Sequence, residues 1–164
     1  MKRAHAILLS GIATGFACVI VPFASAQLKK APSPAGVWEF STAEMSDKCT
    51  ISGEMKIVPD GSKSSKAFTC TFKAVQDCTG GEIRTIHTEQ SCSADQTGSS
   101  LNIISRVDKI VSVKPEALMK GMDKRYFPDN FKVTINVRGD EMDGMFESLG
   151  VAPVKFRRKQ DLVS

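Results

Sequence analysis

From Val37 to Phe156 the chain is a succession of short runs in which apolar and polar residues alternate. A period of two puts one set of side chains on a buried sheet face and the other in water. The clearest run sets Phe131, Val133, Ile135 and Val137 against Lys132, Thr134, Asn136 and Arg138. In the first, Trp38 and Phe40 alternate with Val37 and Glu39; in the second, Ile51, Met55 and Ile57 mark one face; then Phe68, Cys70 and Phe72 alternate with Thr69, Thr71 and Lys73. EIRTIHTEQSC follows, rich in Thr and Ile; near the end Met142, Gly144 and Phe146 share a face, and Val154 and Phe156 point inward between Lys155 and Arg157. In LNIISRVDKIVSV, Leu101, Ile103 and Val107 oppose Ile104 and Ile110, which predicts a β-bulge or a switch of buried face. Turn residues separate the runs, as in Pro59-Asp60-Gly61, Cys78-Thr79-Gly80-Gly81 and Gly139-Asp140. Roughly eight strands joined by short turns give an all-β fold, and an antiparallel up-and-down barrel is its economical form because closure protects both sheet edges.

One stretch breaks the pattern. PEALMKGMDKRYFPDN predicts a helix or loop insertion near 114–129, with a short helix from Glu116 to Met122 weakened by Gly121 and stopped by Pro128. It concentrates Met119, Met122, Tyr126 and Phe127, side chains suited to a plug or lid over one barrel end, or to a partner surface.

The first 26 residues have the form of a cleavable export signal: Lys2 and Arg3, an apolar stretch from Ile7 to Val21, then Ala24-Ser25-Ala26. The apolar part is shorter than the ~20 residues of a membrane span, and Cys18 lies inside it rather than at the start of a polar mature chain, which argues against lipidation. Removal leaves 138 residues and lowers the net charge from +4 to +2, enough for one domain and too little basic charge for a nucleic-acid binder. Residues 27–35, QLKKAPSPA, read as a flexible tail, 36–159 as the barrel domain and 160–164 as a C-terminal tail. The destination is the periplasm or the exterior, and no integral membrane segment remains.

Cys49, Cys70, Cys78 and Cys92 also survive removal, an even set that predicts two disulfides in an oxidising compartment. Three pairings exist. The strand order brings Cys70 towards Cys92 and leaves Cys49 for Cys78. No C-x-x-C unit is present, so neither a structural zinc site nor a thioredoxin-like redox pair is expected.

His87 is the sole histidine after residue 26, and neither Ser91 nor Glu89 beside it lies in a nucleophile-elbow context, so it reads as a strand surface residue. Asp140, Glu141 and Asp143 cluster in a turn with neither a sugar platform nor calcium-loop spacing. The expectation is no catalytic residue, no metal and no cofactor. Lys155, Arg157, Arg158 and Lys159 form a basic C-terminal edge which, with Lys29 and Lys30, would make a positive rim for an envelope component or a protein. A membrane β-barrel is disfavoured by the single Trp, the single Tyr and outward charges such as Lys132 and Arg138.

Gly36-Val37-Trp38 at the first strand, with GDEMDG and APVKFRR near the end, resembles the small calycin-type barrels, the lipocalin group that includes exported bacterial metalloprotease inhibitors. The resemblance implies an eight-stranded up-and-down barrel in which Trp38 packs across the floor beside a basic residue of the last strand, Arg157 or Arg158. It implies binding, of an unknown protein or a small apolar ligand. Alternatively it implies inhibition of an extracytoplasmic metalloprotease, with the tail before Gly36 entering the enzyme cleft. The four cysteines and the 114–129 insertion depart from the short inhibitors.

Overall fold

The computed structural model describes residues 31–61 and 67–159, so the expected export signal over residues 1–26, residues 27–30 and the expected tail over 160–164 lie outside the described residues. Eight antiparallel strands follow one another around a closed barrel. They are β1 (Gly36–Thr42), β2 (Cys49–Pro59), β3 (Ala67–Cys78), β4 (Thr85–Thr97), β5 (Ser100–Lys114), β6 (Asn130–Ile135), β7 (Glu141–Glu147) and β8 (Val151–Arg158). Each pairs with its sequence neighbour, and β8 closes onto β1 through Trp38 opposite Arg158 and Phe40 opposite Phe156. This is the up-and-down barrel that the alternation predicted.

The inward set is as the period of two requires. Phe131 lies in the middle, with ring centroids of Phe40, Phe72, Phe146 and Phe156 at 5.3, 5.9, 5.7 and 5.3 Å. Met55, Ile57, Leu101, Ile103, Ile135, Met142 and Val154 fill the space around them and are almost wholly buried. The outer faces carry ion pairs, Lys73–Glu89 and Lys132–Glu147 among them. A lipid-facing band does not tolerate such residues at its centre.

Two glycines show how backbone needs shape the barrel. At Gly144 the chains of β6 and β7 come so close that a Cβ would lie 2.0 Å from the Lys132 carbonyl oxygen and 2.6 Å from Val133 Cα. Only a residue without a side chain fits. Gly144→Val is expected to lower stability by about 3 kcal/mol, read as a drop in the urea midpoint.

The second is Gly121. The expected helix from Glu116 to Met122 is replaced by two 3-10 turns, Glu116–Leu118 and Met122–Lys124. Between them Gly121 takes φ 80°, a left-handed conformation that ends one turn and starts the next. The segment folds back over the loop end of the barrel. There Met122 joins Ile86, Ile110 and Val113, with Leu118, Tyr126 and Val107 packed alongside, in a small apolar cluster separate from the main core.

The irregularity expected in β5 is a pair of register shifts against β4. The partner of Gln90 is Val107 while that of Glu89 is Lys109, and Thr88 faces Ile110 while His87 faces Ser112. Asp108 and Val111 are therefore extra residues on β5, and the first moves the buried face from Val107 to Ile110. Pairing of β5 with β6 stops at Ile103–Phe131, so the rest of β5 stands as a strand edge. Bulges and the charges of Arg106, Asp108 and Lys109 are the devices that keep such edges from pairing with other chains.

Val137 departs from its expected place inside. It is 79% exposed, because β6 ends at Ile135 and the Asn136 side chain accepts the backbone N–H groups of Gly139 and Asp140 at 2.8 and 3.2 Å, turning the chain.

Both disulfides form, Cys49 with Cys78 across β2–β3 and Cys70 with Cys92 across β3–β4, each between directly opposed residues.

Candidate functional site

The two barrel ends differ in chemistry. At one end Trp38 is fully buried, its indole N–H donates to Pro34 O at 2.8 Å, and the Arg158 guanidinium lies 4.3 Å from the ring centroid. Arg158 also donates to Gly139 O at 2.6 Å, to Ser33 O at 2.8 Å and to Ala35 O. Of the two arginines offered as the floor residue, Arg158 takes the place and Arg157 stays on the outer wall near Glu141. Pro32 O is held by Gln96 at 2.8 Å. Residues 32–35, read above as the end of a flexible tail, are thus strapped across the floor by side chains of β1, β4 and β8.

The other end is ringed by loops 43–48, 79–84, 115–129 and 148–150. Between them lies a cleft of about 40 Å³, lined by Met45, Ile51, Phe127, Phe146 and Leu149, with Asp47, Gln76, Tyr126 and Ser148 as polar lining. Leu149 at the β7–β8 turn is 74% exposed, and Phe127 and Val151 beside it are 50% and 65% exposed. Ser148 Oγ donates to Phe127 O at 3.3 Å, which ties the insertion to the turn. A larger open groove, about 380 Å³, lies on the outer wall among Glu54, Lys56, Lys73, Glu89 and Asp108. Thr71, Phe72 and Gln90 line it as well, and of its charged residues Lys73 and Glu89 pair with each other.

The insertion residues do not share one surface. Met119 and Phe127 are exposed, Met122 is buried in the small cluster, and Tyr126 turns inward. Lys155 and Arg157 lie on the outer wall of β8, and Arg158 is at the opposite end of the barrel from the insertion. Lys159 faces Glu54 at 2.5 Å and Glu39 at 3.5 Å, so much of the basic edge meets carboxylates. Asp140 is bonded to Asn136 at 2.6 Å and to Arg138 at 3.3 Å. His87 sits on β4 between Val75 and Ser112.

Sequence reasoning missed a buried polar group beneath the insertion. Asp129 has no exposed surface. Its Oδ2 accepts from Gln90 Nε2 at 2.5 Å and from the Tyr126 hydroxyl at 2.8 Å, and its backbone N–H donates to Gln90 Oε1 at 3.2 Å. Gln90 Nε2 also reaches Thr88 Oγ1 at 3.1 Å. Oδ1 has no hydrogen-bond partner among the described residues. Burial disfavours the charged form and pushes the carboxyl up to about 7, even though both donors favour ionisation. The Tyr126 phenol is raised further above its ordinary range by burial and by Asp129. Next to Asp129, Asn130 Oδ1 accepts the Ser105 N–H at 2.8 Å and Ser105 Oγ donates to Asp129 O, so side chains hold the point where β5 and β6 part.

No protein-family model matches the chain, and no curated protein matches it. Among solved structures it is similar to a de novo designed fluorescence-activating β-barrel, with 18% identity, a TM-score of 0.44 and coverage of 76% of this chain and 93% of that one.

Proposed function

We propose that this chain is an exported, non-enzymatic binding barrel that engages a protein partner through its loop end. The observation that carries this reading is the filled interior. Five phenylalanines and Trp38 occupy the barrel axis, and the cleft at the mouth holds about 40 Å³. Enclosing a small ligand takes ~300–1,000 Å³. That leaves room for the tip of one partner side chain, with Phe127, Leu149 and Val151 as exposed apolar surface around it. Of the two ligands named from the sequence, a protein has the greater support. Four cysteines joined in two disulfides support an oxidising, extracytoplasmic setting such as the envelope.

The metalloprotease-inhibitor reading has less support. It asks the segment before β1 to enter an enzyme cleft, whereas Pro32–Ala35 are bonded to Gln96, Trp38 and Arg158.

A photoreactive residue at position 119 tests the proposal in envelope extract. The protein is expected to crosslink to one defined partner, and Phe127→Glu/Leu149→Glu is expected to lose that crosslink while keeping its circular dichroism spectrum and melting temperature. Undiminished crosslinking by the variant would remove the loop end from the interaction. An apolar small molecule copurifying in stoichiometric amount would restore the small-ligand reading.

A further inference from the structure

The insertion is built to move as a unit. Among the described residues its backbone hydrogen bonds from 115 to 126 are internal: Leu118 to Pro115, Met119 to Glu116, Met122 to Met119, Lys124 to Gly121, and Arg125 and Tyr126 to Met122. It can leave the barrel without breaking them. Its apolar contacts form the small cluster with Ile86, Ile110 and Val113, separate from the main core, so departure does not open the phenylalanine core. Four ties hold it down: that cluster, the Ser148–Phe127 bond, the Asp129 carboxyl held by Gln90 Nε2, and the Asp129 backbone bonded to Gln90 Oε1 and Ser105 Oγ, with Tyr126 bracing the carboxyl from within the insertion.

The third tie is conditional. The groups in contact with Asp129 are Tyr126 from its own segment, Gln90 from β4, with Thr88 behind it, and Ser105 from β5. Only Tyr126 among them titrates. The charged residues nearby on β4 and β5, Glu89, Arg106, Asp108 and Lys109, are on the outer face, where Glu89 pairs with Lys73 and Arg106 with Asp108. Among the described residues no cation therefore meets a carboxylate at Asp129 from inside, and one of its oxygens would stay unsatisfied. A neutral carboxyl at this place is tolerated; a charged one drives towards water.

We propose that residues 115–129 form a lid latched by the protonated carboxyl of Asp129 and released when that proton is lost to solvent. Release uncovers the apolar floor of Ile86, Val107, Ile110 and Val113. The proposal is independent of what the loop end binds. The rise of the buried carboxyl to about 7 places the release between acid and neutral pH.

Hydrogen exchange of the oxidised protein, followed by mass spectrometry and corrected for intrinsic rates, tests the lid. The opening constant of the Asp129 amide, which donates to Gln90 Oε1 on the barrel wall, is expected to rise about tenfold per pH unit between pH 5 and pH 7 and then level off. Strands β2 and β3 should keep their protection throughout. Asp129→Asn should abolish the slope. Tyr126→Phe removes a donor that favours the carboxylate, and should move the levelling point to higher pH while the lid still opens. A flat profile in the natural protein, a slope retained in Asp129→Asn, or parallel loss of protection in β2 and β3 would each overturn the proposal. If Asp129→Asn does not fold, Tyr126→Phe decides: an unmoved levelling point sinks the latch.

Discussion

Urea unfolding of Asp129→Asn is expected to show a protein no more stable than the natural one at pH 4 and more stable by up to about 4 kcal/mol at pH 8. The sign follows from the raised carboxyl. Its ordinary value is 3.8 and its folded value about 7, so between these limits the folded state binds a proton that the unfolded state has released. Stability from the neutral carboxyl is complete below about pH 4 and is lost as pH rises towards 7. Asparagine keeps an oxygen for Tyr126 and Gln90 and carries no charge at any pH. Other groups follow their own courses, with Asp140 held below its ordinary value by Asn136. The difference between variant and natural protein isolates position 129. A difference that stays constant from pH 4 to pH 8 would mean that Asp129 is already ionised when folded.

The other large effect belongs to Phe131. Truncation to alanine is expected to lower stability by about 3–5 kcal/mol, because the ring is fully buried and lies within 6 Å, centroid to centroid, of four others. Those four come from β1, β3, β7 and β8, so the void would open at the barrel axis, where the wall cannot collapse without breaking register. Chemical denaturation with an unchanged m-value is the check. A cost below about 1 kcal/mol would mean that the interior is loosely packed, and would return the small-ligand reading to consideration.

The barrel was readable because each strand repeats one instruction. Phe68, Cys70 and Phe72 announce an inner face, the broken alternation around Val107 and Ile110 announces a bulge, and both follow from the two-residue period of strands. Places where side chains redirect the backbone were less legible. Val137 continues the alternation of β6 by composition, yet Asn136 has already turned the chain. The insertion holds good helix formers, and Gly121 divides them. Asp129 was invisible for another reason. Pro128-Asp129-Asn130 looks like an exposed turn before a strand, and only the fold brings Gln90, 39 positions earlier, against its carboxyl. Buried polar groups satisfied at long range leave no local pattern to detect.

The strapped floor also fixes how this barrel can be presented. Arg158 joins Ser33 and Ala35, and the Lys159 N–H donates to Val37 O at 2.8 Å, so both ends of the described chain emerge side by side beneath Trp38. A tether or fusion attached before Pro32 or after Lys159 would leave from that one end and point Phe127 and Leu149 away from the surface that carries it. Joining the two ends by a short linker would distort no strand, and a cut at the Gly98 turn would then yield a circular permutant with its loop end intact.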